Sequence, residues 1–269
     1  MWEGAVILKP KMKIQPVPTE YLYNYDGVCW WCGGTADSRE HKWKKSEIKA
    51  MYGAAPSESY PLVWFGDDSK PRNVQGPDSD LMKFEKSLCK DCNNSRSQPF
   101  DQAYDQWVEY ITENYDRIIE IRTIDLDEVA PGGGEEFRLN LAKYFAKHIG
   151  CRVADNAGRV PESLIRFLNG ESEDSSFAWT ELCLSDSALE YHEVTRYMLG
   201  MPATIGVYSP DGGSLTSLKG ALMRGALQLV WDINLDASRK DSGNGILAGP
   251  LYSLRGIDDD LYEHRFPVC

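Results

Sequence analysis

Two Cys-x-x-Cys pairs are the part of this sequence best suited to do chemistry. The first pair is Cys29 and Cys32, and the second is Cys89 and Cys92. A Cys-x-x-Cys turn places two sulfur ligands on one side of a tight loop, and two such turns complete a tetrahedral four-sulfur zinc site. Residues 33–88 separate the pairs, which is far more than a compact zinc finger needs. We therefore predict one structural zinc, with further chemistry in or beside that interval.

Glu40 and His41 lie between the two pairs, inside a run of basic residues. Such a run is typical of a solvated helix face. Its position beside a histidine that could act as a base also favours a surface that binds phosphate. The basic residues of the run are Arg39, Lys42, Lys44, Lys45 and Lys49.

Taken in order, these segments resemble the HNH endonuclease family in its zinc-containing ββα-metal form. In that family an acidic residue followed by His ends the first strand, as Glu40-His41 does here, and a Cys-x-x-Cys followed by Asn or His opens the helix, as Cys92-Asn93 does. The resemblance covers residues 27–98. It implies a treble-clef-like module that hydrolyses phosphodiester bonds in nucleic acid, DNA more than RNA, in restriction, antiphage defence or a phage or mobile element.

The resemblance also implies roles for single side chains. Glu40 and Asn93 would ligate a catalytic Mg²⁺ or Mn²⁺, because carboxylate and amide oxygens suit such hard ions. His41 would act as general base on water, which its ordinary pKa near neutrality permits. The zinc would not touch substrate, since a site with four thiolates is coordinatively closed. The candidates for phosphate contacts are Arg96, Lys44 and Lys45.

Each of these residues also has a structural alternative. Asn93 is a good helix N-cap, and Glu40 among basic neighbours would form weak surface ion pairs. His41 by itself is typical of a surface histidine. The middle asparagine of the family pattern is absent where residues 84–87 stand. The alternative function is therefore a noncatalytic treble-clef zinc module that binds nucleic acid or a protein partner.

The charge of the chain is unevenly distributed. The 269 residues carry a net charge of −12, which argues against nonspecific affinity for phosphate. Residues 1–100 contain 14 Lys and Arg against 13 Asp and Glu, which leaves 15 against 28 for residues 101–269. We expect the neutral part to meet nucleic acid. The acidic part is predicted to dock a protein partner, to self-associate or to compete for the basic run.

The compartment follows from what the sequence lacks. Residues 4–10 are too short for the core of a secretory leader, and no stretch reaches the roughly 18 apolar residues of a membrane span. We expect a cytoplasmic protein without membrane contact. Cytosolic thiols stay reduced, which favours metal ligation over disulfides.

The predicted fold is α+β, with an N-terminal zinc-bound ββα-metal module, a helical region and a mixed α+β C-terminal region. The predicted domains are residues 1–98, with an insertion at about 54–80, residues 99–170 and residues 171–269. The predicted helices cover residues 46–51, 99–118 and 137–149, the last closed by Gly150, and one that follows Pro161 and ends near Gly170. The predicted strands cover residues 35–43, 178–184, 204–208 and 226–235, with a turn at residues 209–213.

Overall fold

A computed structural model of the chain describes most of its residues. The described residues are 23–53, 63–65, 71–156, 158–201, 204–208, 215–235, 244–247 and 249–257. In chain order the helices are α1 (Lys45–Tyr52), α2 (Gln98–Ile121), α3 (Leu126–Val129), α4 (Gly134–Asp155), α5 (Glu162–Asn169), α6 (Asp186–Glu190) and α7 (His192–Thr195). The strands are β1 (Val63–Phe65), β2 (Pro71–Asn73), β3 (Thr123–Asp125), β4 (Ala178–Ser185), β5 (Leu199–Gly200), β6 (Ile205–Tyr208), β7 (Leu215–Arg224), β8 (Leu227–Asn234), β9 (Leu251–Ser253) and β10 (Arg255–Ile257). The described part is thus mixed α and β, as predicted at that level.

The N-terminal part contains extended backbone in place of the regular strand predicted at residues 35–43. It pairs through single antiparallel bridges, from Thr35 to Val28, from Ser38 to Leu88 and from His41 to Lys83. The last two bridges align it with the segment that leads into the second Cys pair. Helix α1 follows, as predicted for residues 46–51, and ends at Gly53, whose φ of 83° suits glycine.

Helix α2 is the long amphipathic helix that the spacing of its apolar residues predicts. Pro99 lies in its first turn, where a missing N–H costs nothing. The predicted stripe is buried throughout and consists of Phe100, Tyr104, Trp107, Val108, Ile111, Tyr115 and Ile118. Helix α4 packs against α2, and these two helices position most of the site described below.

Helix α4 differs from the prediction at its C-terminal end. Gly150 does not close the helix, which continues to Asp155. The glycine is needed for packing: a Cβ built on it would lie 2.7 Å from the indole ring of Trp30. Trp30 belongs to the first Cys-x-x-Cys segment. The lack of a side chain at Gly150 therefore lets this segment rest directly on the helix.

The C-terminal region is built on a mainly antiparallel sheet. The strand order is β10-β4-β8-β7-β5, and β6 also pairs with β7. Strands β4, β6 and β8 match the predicted ranges, whereas β7 was not predicted. Gly220 interrupts the run of side chains along β7. A glycine is needed there because the Trp231 ring on β8 fills the space that a side chain would occupy. The predicted turn at residues 209–213 lies outside the described residues.

One hydrophobic cluster joins residues from all three predicted domains. It includes Trp30, Phe100, Phe167 and Leu229. The domain limits at residues 98 and 170 remain predictions. Within the described part, no helix combines the length and hydrophobicity that crossing a membrane requires.

Replacing Gly150 with alanine should lower the free energy of unfolding. Alanine gains about 1 kcal/mol of helix propensity over glycine. The Cβ would press on the Trp30 ring, however, and overpacking a core costs about 1–3 kcal/mol. Urea unfolding of the zinc-loaded chain measures the difference. Gly249→Ala is the control, since a Cβ there meets nothing closer than 4.0 Å. Equal stability of Gly150→Ala and wild type would contradict the close Trp30 contact.

Candidate metal centre and adjoining polar cluster

The two Cys-x-x-Cys pairs converge into one group of four sulfurs. The Sγ atoms of Cys29, Cys32, Cys89 and Cys92 all lie within 4.8 Å of one another, and those of Cys32 and Cys89 are 3.6 Å apart. A Zn–S bond of roughly 2.3 Å implies sulfurs about 3.8 Å apart in a tetrahedral site. The four cysteines therefore can hold a metal ion such as zinc.

Backbone groups shape each loop around its sulfurs. In the first pair the Gly33 amide donates to the Cys29 carbonyl at 2.9 Å, and Gly33 has a φ of 76°. The Gly34 amide lies 3.4 Å from Sγ of Cys32, and the Cys92 amide lies 3.4 Å from Sγ of Cys89. Amides that point at sulfur stabilise the thiolate form, which is the form that ligates metal.

The thiols of the group respond to burial in different ways. Burial raises the pKa of Cys29 and of Cys92. Burial also opposes ionisation of Cys32, but the Gly34 amide and the neighbouring thiols outweigh it, so the pKa of Cys32 is lowered. Without a cation the group would keep protons on its buried members. A bound metal supplies the positive charge that four thiolates require.

Main-chain pairing ties the segment that carries Glu40 and His41 to the segment that leads into the second Cys pair. The Ser38 amide donates to the Leu88 carbonyl at 2.9 Å, and the Phe84 amide donates to the Glu40 carbonyl at 2.9 Å. Leu88 immediately precedes Cys89. The segment that carries Glu40 and His41 is therefore anchored to the second Cys pair by main-chain hydrogen bonds.

Asn93 joins the same place from the helical side. It lies in a π-helical turn, Asp91–Ser95, and its Nδ2 donates to Oγ of Ser38 at 2.9 Å and to the Arg39 carbonyl at 3.3 Å. The side chain caps no helix, so the N-cap alternative is wrong. Asn93 is 9% exposed, and its Oδ1 is buried without a hydrogen-bond partner in the described structure.

Glu40 lies at the centre of a buried polar cluster. Its Oε2 accepts a hydrogen bond from Nζ of Lys147 at 3.0 Å, and the two side chains are only 12% and 1% exposed. The same ammonium lies 3.2 Å from Oγ of Ser97 and 3.4 Å from Oδ1 of Asp101. The alternative in which Glu40 forms only surface ion pairs is therefore wrong.

Burial and charge act against each other in this cluster. Burial raises the pKa of Glu40, which Lys147 opposes and Asp101 reinforces. Burial alone would lower the pKa of Lys147, but Glu40 and Asp101 outweigh it and the pKa is raised. One ammonium thus serves two carboxylates. The three groups together are one negative charge in excess when all are ionised.

His41 is held as a neutral ring with one nitrogen open. Burial lowers its pKa, and the charge of Lys83 adds to this. Nε2 is buried without a hydrogen-bond partner in the described part, with Oδ1 of Asp78 3.8 Å away. A neutral ring whose Nε2 has no partner among the described residues can accept a proton at that atom.

The three candidates for phosphate contacts already have partners. The Arg96 guanidinium lies 4.7 Å from the centre of the Trp31 ring and donates to Oδ1 of Asn169 at 2.7 Å. Lys44 donates to Oδ2 of Asp105 at 2.6 Å. Lys45 pairs with Asp78. A phosphate would have to compete with these contacts, and the phosphate-binding roles remain predictions.

Sequence reasoning missed Lys147, Asp101 and Ser97. Lys147 follows the apolar residues 144–146 of α4 and precedes Ile149, in a stretch where a lysine is unexpected unless it is paired. A lysine at this position was the one feature of the sequence that could have indicated a buried ion pair. Its partners are 46 and 107 residues away in sequence for Asp101 and Glu40, so no local pattern could identify them.

No protein-family model, no curated protein and no solved structure matches this chain.

Purified protein should contain about one zinc ion per chain, in keeping with a closed four-thiolate site. Cys89→Ser should lose the zinc and much of the unfolding cooperativity, because ligation supplies much of the folding free energy of such sites. Elemental analysis and thermal unfolding measure both effects. Cys183→Ala, which alters a buried thiol on β4, should keep the zinc. Wild type without zinc, or with disulfides among the four cysteines, would rule the site out.

Proposed function

We propose that this chain is a metal-dependent endonuclease of the HNH type, which hydrolyses phosphodiester bonds in nucleic acid and preferentially in DNA. One arrangement carries the proposal. The four-cysteine group anchors the segment with His41 against the turn with Asn93, and each of these side chains has a buried polar atom without a hydrogen-bond partner in the described structure. Buried polar atoms without partners are rare, and they suit groups that act on a ligand.

The state of His41 supports a role as general base. A base must be unprotonated at neutral pH and must present a lone pair toward the water that it activates. The lowered pKa of His41 favours the unprotonated ring, and Nε2 has no hydrogen-bond partner within the described structure that would occupy it. Since Nε2 is buried, access for water requires neighbours such as Asp78 to move.

The residues present fit a divalent cation in part. Oδ1 of Asn93 is a hard donor left open. Oε2 of Glu40 already faces Lys147, and its other oxygen, Oε1, makes no hydrogen bond to the described residues. A divalent cation would supply charge stabilisation for the phosphate. This chain's own residues would hold that ion, orient the carboxylate and take a proton at His41.

The charge distribution is consistent with a nucleic-acid surface that opens on binding. The basic run near Glu40 is neutralised within the chain by exposed pairs such as Lys44 with Asp105 and Lys45 with Asp78. Exposed pairs of this kind contribute about 0–1 kcal/mol each. A phosphate backbone can therefore replace the carboxylates at little cost.

The contact between Lys147 and Glu40 favours a second candidate, the noncatalytic zinc module that binds nucleic acid or a protein partner. In that case the ammonium permanently satisfies the carboxylate that a catalytic ion would need. The two candidates differ in whether zinc-loaded protein cleaves nucleic acid with added Mg²⁺ or Mn²⁺.

His41→Ala should reduce cleavage of supercoiled plasmid by roughly 10²–10⁴-fold, the usual contribution of a general base. Zinc content and DNA affinity should stay close to wild type, because loss of a neutral ring removes no zinc ligand and no positive charge from the proposed phosphate contacts. Nicking is measured with Mg²⁺, with Mn²⁺ and with chelator added after zinc loading.

The matched control is His192→Ala, which removes an exposed histidine that pairs with Glu193 on α7. It should cleave like wild type. If His41→Ala cleaves at the wild-type rate, the general-base role is wrong. Absence of cleavage in wild type under all metal conditions, with DNA binding retained, would support the noncatalytic candidate.

Asp105→Asn should increase DNA affinity several-fold at low salt. The change removes a carboxylate that holds Lys44 and accepts from Ser46, which frees positive charge in the basic run. The gain should shrink as salt rises toward 0.1 M, where the screening length is about 10 Å. Glu128→Gln alters the net charge equally near the other end of α2, where Glu128 pairs with Arg117. Equal affinity gains for both variants would mean that only the total charge matters.

A further inference from the structure

Lys147 has an environment that is unusual for a lysine. Its side chain is 1% exposed, in the middle of helix α4. The ammonium is surrounded by oxygen atoms from two other parts of the chain: Oε2 of Glu40 at 3.0 Å, Oγ of Ser97 at 3.2 Å and Oδ1 of Asp101 at 3.4 Å. This is the donor set of a site for a cation.

The oxygen atoms around Lys147 extend to the main chain of Asn93. Oγ of Ser97 lies 3.0 Å from the Asn93 carbonyl oxygen and 3.1 Å from Oδ2 of Asp101. Nδ2 of Asn93 bonds Ser38 and Arg39, the two residues before Glu40. The side chain of Asn93, on the same stretch of chain, supplies a separate observation: its Oδ1 is buried and lacks a partner in the described structure, as expected of a group that meets a ligand.

A purely structural role explains this placement poorly. A buried ion pair is often no more stabilising than apolar residues of the same size, because desolvation offsets the attraction. Apolar side chains of α4 close to this position, among them Tyr144, Ile149 and Cys151, are buried. An apolar side chain at residue 147 together with a neutral residue at 40 would give a simpler core. The charged arrangement is better explained by control of the Glu40 carboxylate.

We propose that the Lys147 ammonium is a built-in cation that competes with a divalent metal ion for Glu40, so that the chain alone binds such an ion weakly at this position. The inference rests on the proposed function, because Glu40 and Asn93 are the proposed ligands. Mg²⁺ is commonly held by one or two carboxylates together with substrate phosphates. A site weakened by Lys147 would take up its ion together with nucleic acid.

Mn²⁺ binding to the zinc-loaded full chain, without nucleic acid, tests this inference. Binding is followed by electron paramagnetic resonance and calorimetry for wild type, Lys147→Met and the double variant Lys147→Met with Glu40→Gln. The single variant should bind Mn²⁺ about tenfold or more tightly than wild type. Removing a positive charge that lies close to a bound cation raises the affinity for that cation by at least about this factor. The double variant should lose the gain.

Lys143→Met is the matched control. Lys143 lies one turn earlier on α4, is 9% exposed, and has its ammonium 5.6 Å from the centre of the Phe100 ring. The same substitution there should leave Mn²⁺ affinity at the wild-type value. Equal gains for both lysine variants would overturn the proposal, as would a folded Lys147→Met protein with no gain.

A second comparison covers the case in which Lys147→Met lacks a cooperative unfolding transition. Wild type and Glu40→Gln are then titrated with Mn²⁺. Tight binding by wild type that is lost in Glu40→Gln overturns the proposal, and equally weak binding by both supports it. These titrations do not depend on cleavage. If the protein fails to cut DNA but Lys147→Met shows the predicted gain in Mn²⁺ affinity, the proposed function is wrong, whereas the competition between Lys147 and a metal ion for Glu40 is confirmed.

Discussion

The convergence of four thiols is the constraint on which the N-terminal part of this protein depends. Two loops that are far apart in sequence must bring their sulfurs within 4.8 Å of one another. That requirement anchors the extended segment with Glu40 and His41 on one side and the turn with Asn93 on the other. A metal ion such as zinc removes the repulsion among thiolates, and the hydrogen bonds from Ser38 and Phe84 then set the pairing.

Helix α4 is the second support, and consecutive positions on it contact different parts of the N-terminal segment. Lys147 bonds Glu40, and Nε2 of His148 lies 2.9 Å from the Lys42 carbonyl oxygen. Gly150 admits the Trp30 ring. Burial lowers the pKa of His148 to about 4, so this ring is neutral and serves packing and hydrogen bonding. Within less than two turns, one helix thus contacts the first Cys pair, the acidic residue and the basic run.

Ion pairs connect the acidic part of the chain, residues 101–269, directly to residues in and near the basic run. Asp105 on α2 holds Lys44, and Arg224 on β7 pairs with the buried Glu47 of α1. The exposed pairs can open to a phosphate at small cost, whereas the buried pair of Arg224 and Glu47 cannot, because separating it would leave a charge unpaired in the core. Compensation within the chain explains how a net charge of −12 is compatible with a proposed nucleic-acid surface.

Features that depend on local spacing could be read from the amino-acid sequence alone. The Cys-x-x-Cys pairs predicted the four-cysteine cluster, the apolar period predicted α2, and Gly170 marked the end of α5. Three other features became evident from the folded chain: Glu40 is buried against Lys147, Gly150 continues a helix, and Gly220 lies within a strand. Each of these depends on a partner distant in sequence, Lys147 for Glu40, Trp30 for Gly150 and Trp231 for Gly220. A local pattern reports the preference of a residue, whereas burial and packing against a distant partner can reverse that preference.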